Sequence, residues 1–340
     1  PGSVIVVGPG VYPEEVTVTT PRITIRGVDR FRSVLNGGDT RENGIKIRAP
    51  GVTVKNLTVR DYTAAGISVD GSADYTVRRV DAIKNQTFGI YASGSHGGVI
   101  AKTFVWGSGD SGVRVDSCRD CGTLIDDVHA GFNFLGYAGT NASGVVVRDS
   151  TWINNGVGIA PNTLAGSPAP PSDGLFIYNN VVQYNNYRTV PAAGMSREFG
   201  IPFGTGIWLA GVSHSVIREN GIVGHERFGI LVTDAIDGSG LASVNNVVIE
   251  NSATSSGSYD LAWDGSGSDN CFSANEVTGA TGPPDIQTTY GCDMRPFGGT
   301  TFQPVDDDVD EALVVDPERE QHEPPEPRRP RCQQGRPGCD

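Results

Sequence analysis

The chain has 340 residues, a formal net charge of −13, 46 glycines and 8% aromatic residues. An acidic chain with no basic stripe excludes a nucleic-acid backbone as ligand, because a phosphate-binding face needs clustered Lys and Arg. No apolar run approaches the length that crosses a bilayer, so no membrane insertion is expected.

The sequence starts at Pro1 without Met or a signal peptide, which points to processing or truncation upstream. Its first stretch, "SVIVVGPGVYPEEVTVTTPRITIRGV", has the β-branched alternation of strands and reads as an incomplete opening coil. From Gly44 a phrase recurs: Gly, an apolar residue, a variable one, then an apolar or small one. It stands at Gly44-Ile45, Gly66-Ile67, Gly89-Ile90, Gly112-Val113, Gly136-Tyr137, Gly158-Ile159, Gly206-Ile207 and Gly229-Ile230, with Asp260-Leu261 as a degenerate last copy. The steps are roughly 22 to 24 residues, except one of double length and one somewhat stretched. Two further strand-like runs lie between copies, such as "VTVKN" and "LTVRD", so each unit reads as three short strands.

Alternation sends Ile45 and Ile47 to one side of a strand and Lys46 to the other. A single unit cannot bury its apolar side, whereas units stacked in parallel at ~4.8 Å share a continuous interior. The predicted fold is therefore all-β, a single parallel β-helix of about nine or ten coils, roughly 45 Å long. Asn56, Asn180, Asn246 and Asn275 fall at similar turn positions, where stacked amides would form an interior ladder. The sequon at Asn56 is discounted for the same reason.

The six cysteines form sequence-local pairs, Cys118 with Cys121, Cys271 with Cys292 and Cys332 with Cys339. Even, paired usage suggests disulfides and an oxidising compartment, with connectivity left open, and the protein reads as secreted and extracellular. After about Val305 the repeat stops and a charged, Pro-rich segment follows. Too poor in apolar residues to offset its ordering entropy, it is predicted to be disordered. The expected organisation is a β-helix domain over 1–304 and a tail over 305–340.

With the coils laid out, residues 1–300 resemble the pectate-lyase-like right-handed β-helix superfamily, particularly bacterial secreted β-helix repeat proteins. The opening phrase "IVVGPGVYPEEVTV" followed by "ITIRGV" carries the resemblance. It implies right-handedness and a polysaccharide partner lying along the outer face of the strand that holds the repeated phrase. Superfamily members include polysaccharide lyases, glycoside hydrolases, esterases, uronate epimerases, phage tailspikes and a periplasmic protein of copper-enzyme maturation, and fold alone does not choose among them. The paired-Asp, "NTD" and "GHG" signature of the polygalacturonase-like hydrolases is not matched, nor is the epimerase "DPHD". No Asp-rich calcium cluster marks a pectate lyase, so no cofactor is expected and calcium finds no support.

Parity places Lys46, Ser68, Tyr91, Arg114, Ala138, Ala160, Trp208, Leu231 and Ala262 on the outer column of that strand. Tyr91 and Arg114 fall on adjacent coils, and Trp208 offers a ring on which a sugar could stack. Insertions around 162–173 and 187–206 bring Arg188, Arg197 and Glu198 towards Trp208 as a wall. The leading expectation is an enzyme of the lyase, epimerase or hydrolase class acting on an acidic polysaccharide. Arg114 and Arg197 would neutralise a uronate, and Tyr91, Lys46 or His225 would serve as base. For hydrolysis, Asp110 and Asp116 are the first carboxylate pair to consider. Substrate contacts are assigned to Lys46, Trp208, Arg188, Arg197 and Glu198. The alternatives are a non-catalytic polysaccharide-binding or structural β-helix and, less supported, a metal-handling one. The sequence leaves the oligomeric state open.

Overall fold

The constraint that makes glycine open every copy of the phrase is visible where each ladder strand begins. In this computed structural model, which describes residues 2–188 and 200–292, coils turn a corner at that glycine and the next coil's backbone presses on it. A Cβ built on Gly44, Gly66, Gly89, Gly112, Gly136, Gly158 or Gly206 would stand 2.4–2.8 Å from the carbonyl oxygen of the next glycine in the series. No side chain fits there. At the last copy Asp260 closes the series, its buried carboxylate accepting hydrogen bonds from the backbone N–H groups of Ser256 (2.9 Å), Thr278 (3.1 Å) and Gly279 (2.6 Å).

The strands that follow the glycines form an eleven-stranded parallel sheet, the ladder sheet, running from Val16–Val18 to Thr281–Gly282. Its register reproduces the repeat: Ile45, Ile67, Ile90, Val113, Tyr137, Ile159, Ile207, Ile230 and Leu261 pair in sequence. All nine are fully buried in one continuous core. Eighteen further strands make the other walls of the solenoid in a second parallel sheet, and Ser172–Asp173 pairs with Val212–Ser213 in a separate two-stranded one. In the early coils these walls are single bent strands, such as Thr76–Ile83 and Val99–Trp106. From Val146–Arg148 and Thr151–Ile153 onwards each splits in two. The bend carries a left-handed residue on successive coils, among them Asn56, Arg79, Lys102, Asp127, Asp149 and Asn179, with φ between 49° and 58°.

Stacked amides are present in the interior, but in separate columns. Asn180, Asn220, Asn251 and Asn275 donate in turn to the next side-chain oxygen at 2.9 Å, and Gln287 receives the last bond at 3.2 Å. Asn133, Asn155 and Asn185 form a second column at another corner, and Asn246 with Asn270 a third. Asn56 belongs to none of them. It holds a left-handed corner position and donates to Gly27 O at 2.8 Å. The single ladder expected from sequence fails because the four asparagines belong to different corners of the coil: Asn180 and Asn275 share one column, Asn246 lies in another and Asn56 in none.

Disulfides Cys118–Cys121 and Cys271–Cys292 are formed. The short helix Ile286–Thr289 follows the last coil and buries Ile286. All described residues fall in one compact unit. The expected tail, 305–340, with Cys332 and Cys339, lies outside the described residues.

Replacing Gly89 by Ala tests the corner. Its new methyl would meet Val105 Cγ1 at 2.2 Å and Gly112 O at 2.6 Å. Urea unfolding should show a loss of about 3 kcal/mol, as for an overpacked core.

Candidate functional site

Ladder-sheet parity turns Tyr91 and Arg114 to the outer face, and register makes them partners on adjacent coils. Asp116 lies two residues beyond Arg114 on the strand Ser111–Cys118, hence on the same face, and Asp110 immediately precedes that strand. Tyr91 Oη donates to Asp116 Oδ2 at 3.0 Å, and Arg114 Nε donates to the same oxygen at 3.1 Å. The Arg114 guanidinium also reaches Asp110 Oδ1 at 3.6 Å, which accepts from Ser111 Oγ at 2.6 Å. Phe88 stacks on Tyr91 with ring centroids 4.6 Å apart and lies 5.6 Å beneath the Arg114 guanidinium.

These groups line a cleft of about 350 Å³ with Thr87, Leu135, Thr140, Asn162, Leu164, Ser167, Ile201 and Ile236. Four expected catalytic residues thus converge, and the sequence reading missed Phe88, Leu164 and Ile236. Burial and the neighbouring Asp116 carboxylate raise the Tyr91 pKa, so the phenol stays protonated and acts as a donor. Asp116 Oδ1 is buried and accepts no hydrogen bond among the described residues. That acceptor, 6% exposed with its residue, is the open valence of the cleft.

Other expected site residues fall elsewhere. Lys46 is half-buried on the outer column, three coil steps from Arg114. Arg188 is exposed and paired with Glu226. Arg197 and Glu198 lie outside the described residues.

Trp208 is a correction: it faces outwards but is only 3% exposed. It belongs to a second apolar cluster on the outside of the ladder sheet, with Ala138, Ala160 and Leu231, against which Tyr187, Ile201, Phe203 and Ile236 from neighbouring segments pack. Its indole donates to Thr233 Oγ1 at 3.0 Å. Its remaining edge lines a separate cavity of about 500 Å³ with Arg227, Phe228 and Asp264. Parity gave the direction of the ring but not what lay above it.

His225 is a second correction, since it sits inside the solenoid and not at the cleft. It continues the Asn133–Asn155–Asn185 column, Nδ1 accepting from Asn185 N at 3.3 Å and Nε2 facing Val182 O at 3.2 Å. Burial pulls its pKa down to about 4, partly offset by the Val182 carbonyl.

Two measurements follow. Because the folded pKa of His225 lies below the ordinary value of 6.5, the unfolded chain binds the extra proton first. Stability is full above pH ~6.5 and falls as pH drops towards about 4, by about 3 kcal/mol in total. His225→Asn, which restores the column's usual residue, should flatten that slope in urea titrations between these limits. Trp208→Ala should cost about 3 kcal/mol or more, as for a buried aromatic; a near-neutral change would show that the covering segments do not rest on it.

A family model described as periplasmic copper-binding protein (NosD) matches residues 22–282. Among solved structures, the A-module of the Azotobacter vinelandii mannuronan C-5 epimerase AlgE4 aligns over 82% of this chain and 87% of its own, at 13% identity and TM-score 0.53. The periplasmic alginate epimerase AlgG aligns over 79% and 70%, at 12% identity and TM-score 0.51. The Dettilon tailspike protein aligns over 81% of this chain at 14% identity and TM-score 0.48, and the chain spans 61% of that protein's length. Identities this low establish a shared fold and nothing finer. No curated protein matches the chain.

Proposed function

We propose that this chain, which belongs to the NosD family of right-handed β-helix proteins, binds a polysaccharide on its ladder face and hydrolyses it in the cleft of Tyr91, Asp110, Arg114 and Asp116. One observation carries the reading: two carboxylates, a phenol and a guanidinium converge beside stacked aromatic rings in one cleft, with one buried carboxylate oxygen that has no donor among the described residues. Hydroxyl-bearing sugars supply such donors. The structural neighbours support the class of ligand, since two are alginate or mannuronan epimerases. Two disulfides support a location outside the cytoplasm, in the periplasm or beyond it. No described helix is long and apolar enough to cross a membrane.

The charges of the described residues favour a neutral sugar at the reacting position, whereas the sequence reading expected an acidic one. Among the described residues lining the cleft Arg114 is the only cation, and both carboxylates already engage it. Among those residues a uronate would face Asp110 and Asp116 with no further positive charge to offset it, and the carbanion-like intermediate of β-elimination would be worse placed; Arg197 lies outside the described residues. Hydrolysis needs carboxyl groups instead. In our assignment Asp116, through Oδ1, takes the proton of a water that attacks the anomeric carbon. The departing glycosidic oxygen takes a proton from solvent as its bond to that carbon breaks, and Asp110, ion-paired with Arg114, holds the guanidinium in place. Tyr91 and Arg114 hold Asp116 in place.

The family's printed description names copper, and the described residues do not fit it. Their four cysteines are in disulfides, and both nitrogens of His225 face backbone groups. Among the described residues no three His, Cys, Asp or Glu side chains converge. Met195, Met294 and His322 lie outside the described residues.

The test is reducing-end release, with calorimetric titration, across neutral and acidic polysaccharides. Asp116→Asn should lower turnover by about 10²-fold or more while the melting temperature holds. Binding without turnover in the parent would reduce the cleft to a docking site, and no binding to any glycan would overturn the reading.

A further inference from the structure

We infer that the cleft receives the end of a glycan chain and not an internal stretch, an inference that rests on the glycan reading above. The ladder face is open on one side of the cleft and roofed on the other. Towards the first coils, the outer column continues between short turns from half-buried Tyr91 through Ser68, 6% exposed, to half-buried Lys46, with no described segment folded over it. From Arg114 to Lys46 this runs three coil steps, about 14 Å at the usual inter-strand spacing. In the opposite direction the outer column is Ala138, Ala160 and Trp208, exposed by 0%, 0% and 3%. No sugar ring reaches those positions.

The roof is built from both ends of the ladder strands. Residues 163–171 follow the strand Val157–Asn162 and are tied down on three sides. Asn141 Nδ2 donates to Leu164 O (2.8 Å) and Pro168 O (2.9 Å), and Thr163 Oγ1 donates to Gly211 O at 2.5 Å. Asp237 Oδ2 accepts from Ala165 N at 2.6 Å, linking this segment to the one after the strand Phe228–Thr233. From that second segment Ile236 packs onto the cluster around Trp208, and Ile201 reaches the same cluster from the segment before Thr205–Ala210. Ile236 lines both the 350 Å³ cleft and the 500 Å³ cavity beyond it, and so forms the partition between them. A chain threaded along the solenoid axis would have to displace Ile236, Ile201 and Leu164; a chain end need not.

The test uses galactomannan, polygalacturonate and alginate, each as polymer and as tetramer, with product sizing and viscometry on the full chain. Chain-end recognition predicts short products from the earliest time points with almost no loss of viscosity. It also predicts that Ile236→Ala, which opens the partition, raises the viscosity loss per bond broken several-fold. Leu164→Ala serves as the second variant if the first melts markedly lower. A rapid viscosity fall with the parent protein overturns chain-end recognition and leaves glycan hydrolysis standing. Failure to bind or cleave any of the six probes overturns this inference together with the reading beneath it.

Discussion

The approach of one coil's carbonyl to the next coil's glycine is the contact from which the rest of the molecule follows. With 2.4–2.8 Å between that oxygen and the place a Cβ would occupy, only glycine lets the coils close to sheet spacing. The corner then fixes where each ladder strand begins. Since side chains alternate strictly along a strand, a fixed start assigns every following residue to the core or to the outer face. The buried Ile and Val column and the Tyr91–Arg114 pairing on the outside result from the same corner.

On that frame the outer face divides into a wet part and a dry part. Where only short turns flank the ladder strands, polar residues such as Ser93 and Asp116 stand next to one another. Where longer segments leave the strand ends, they fold back over the outer face, bury Ala138 and Ala160 completely and leave Trp208 and Leu231 only an edge on the second cavity. The cleft lies at the boundary. Its carboxylates are nearly buried, yet they face a cavity instead of packed side chains. Such burial strengthens the pairing of Arg114 with Asp110 and Asp116, and it makes Asp116 Oδ1, which has no donor among the described residues, costly unless a ligand or water satisfies it.

The parts legible in the sequence were those governed by a local period. Gly44 to Gly229 and the apolar residues after them announced the coils, and parity alone put Tyr91 and Arg114 side by side on one face. What escaped depended on contacts far apart in sequence. Nothing local to Trp208 shows that Ile236 and Ile201 lie over it. His225 read as a candidate base because its equivalence to Asn185, 40 residues earlier, is a matter of stacking. Arg114 looked able to neutralise a substrate until its two carboxylate partners were seen at 3.1 and 3.6 Å. The stretched step between Gly229 and Asp260 was the available hint of the second covering segment.

The long segments leave from the two ends of ladder strands and from no position within them. Each is attached to a coil whose corner, register and core column are complete without it. Loop and scaffold are therefore separable units of change: an insertion can lengthen, shrink or be exchanged for another sequence with little consequence for how the coils stack. A lineage built on this plan can shift from one glycan to another, or from chain ends to chain interiors, by remodelling a few loops on an unchanged solenoid. It can also lose an inherited activity by the same route, which is how members of one family can share a backbone and little else.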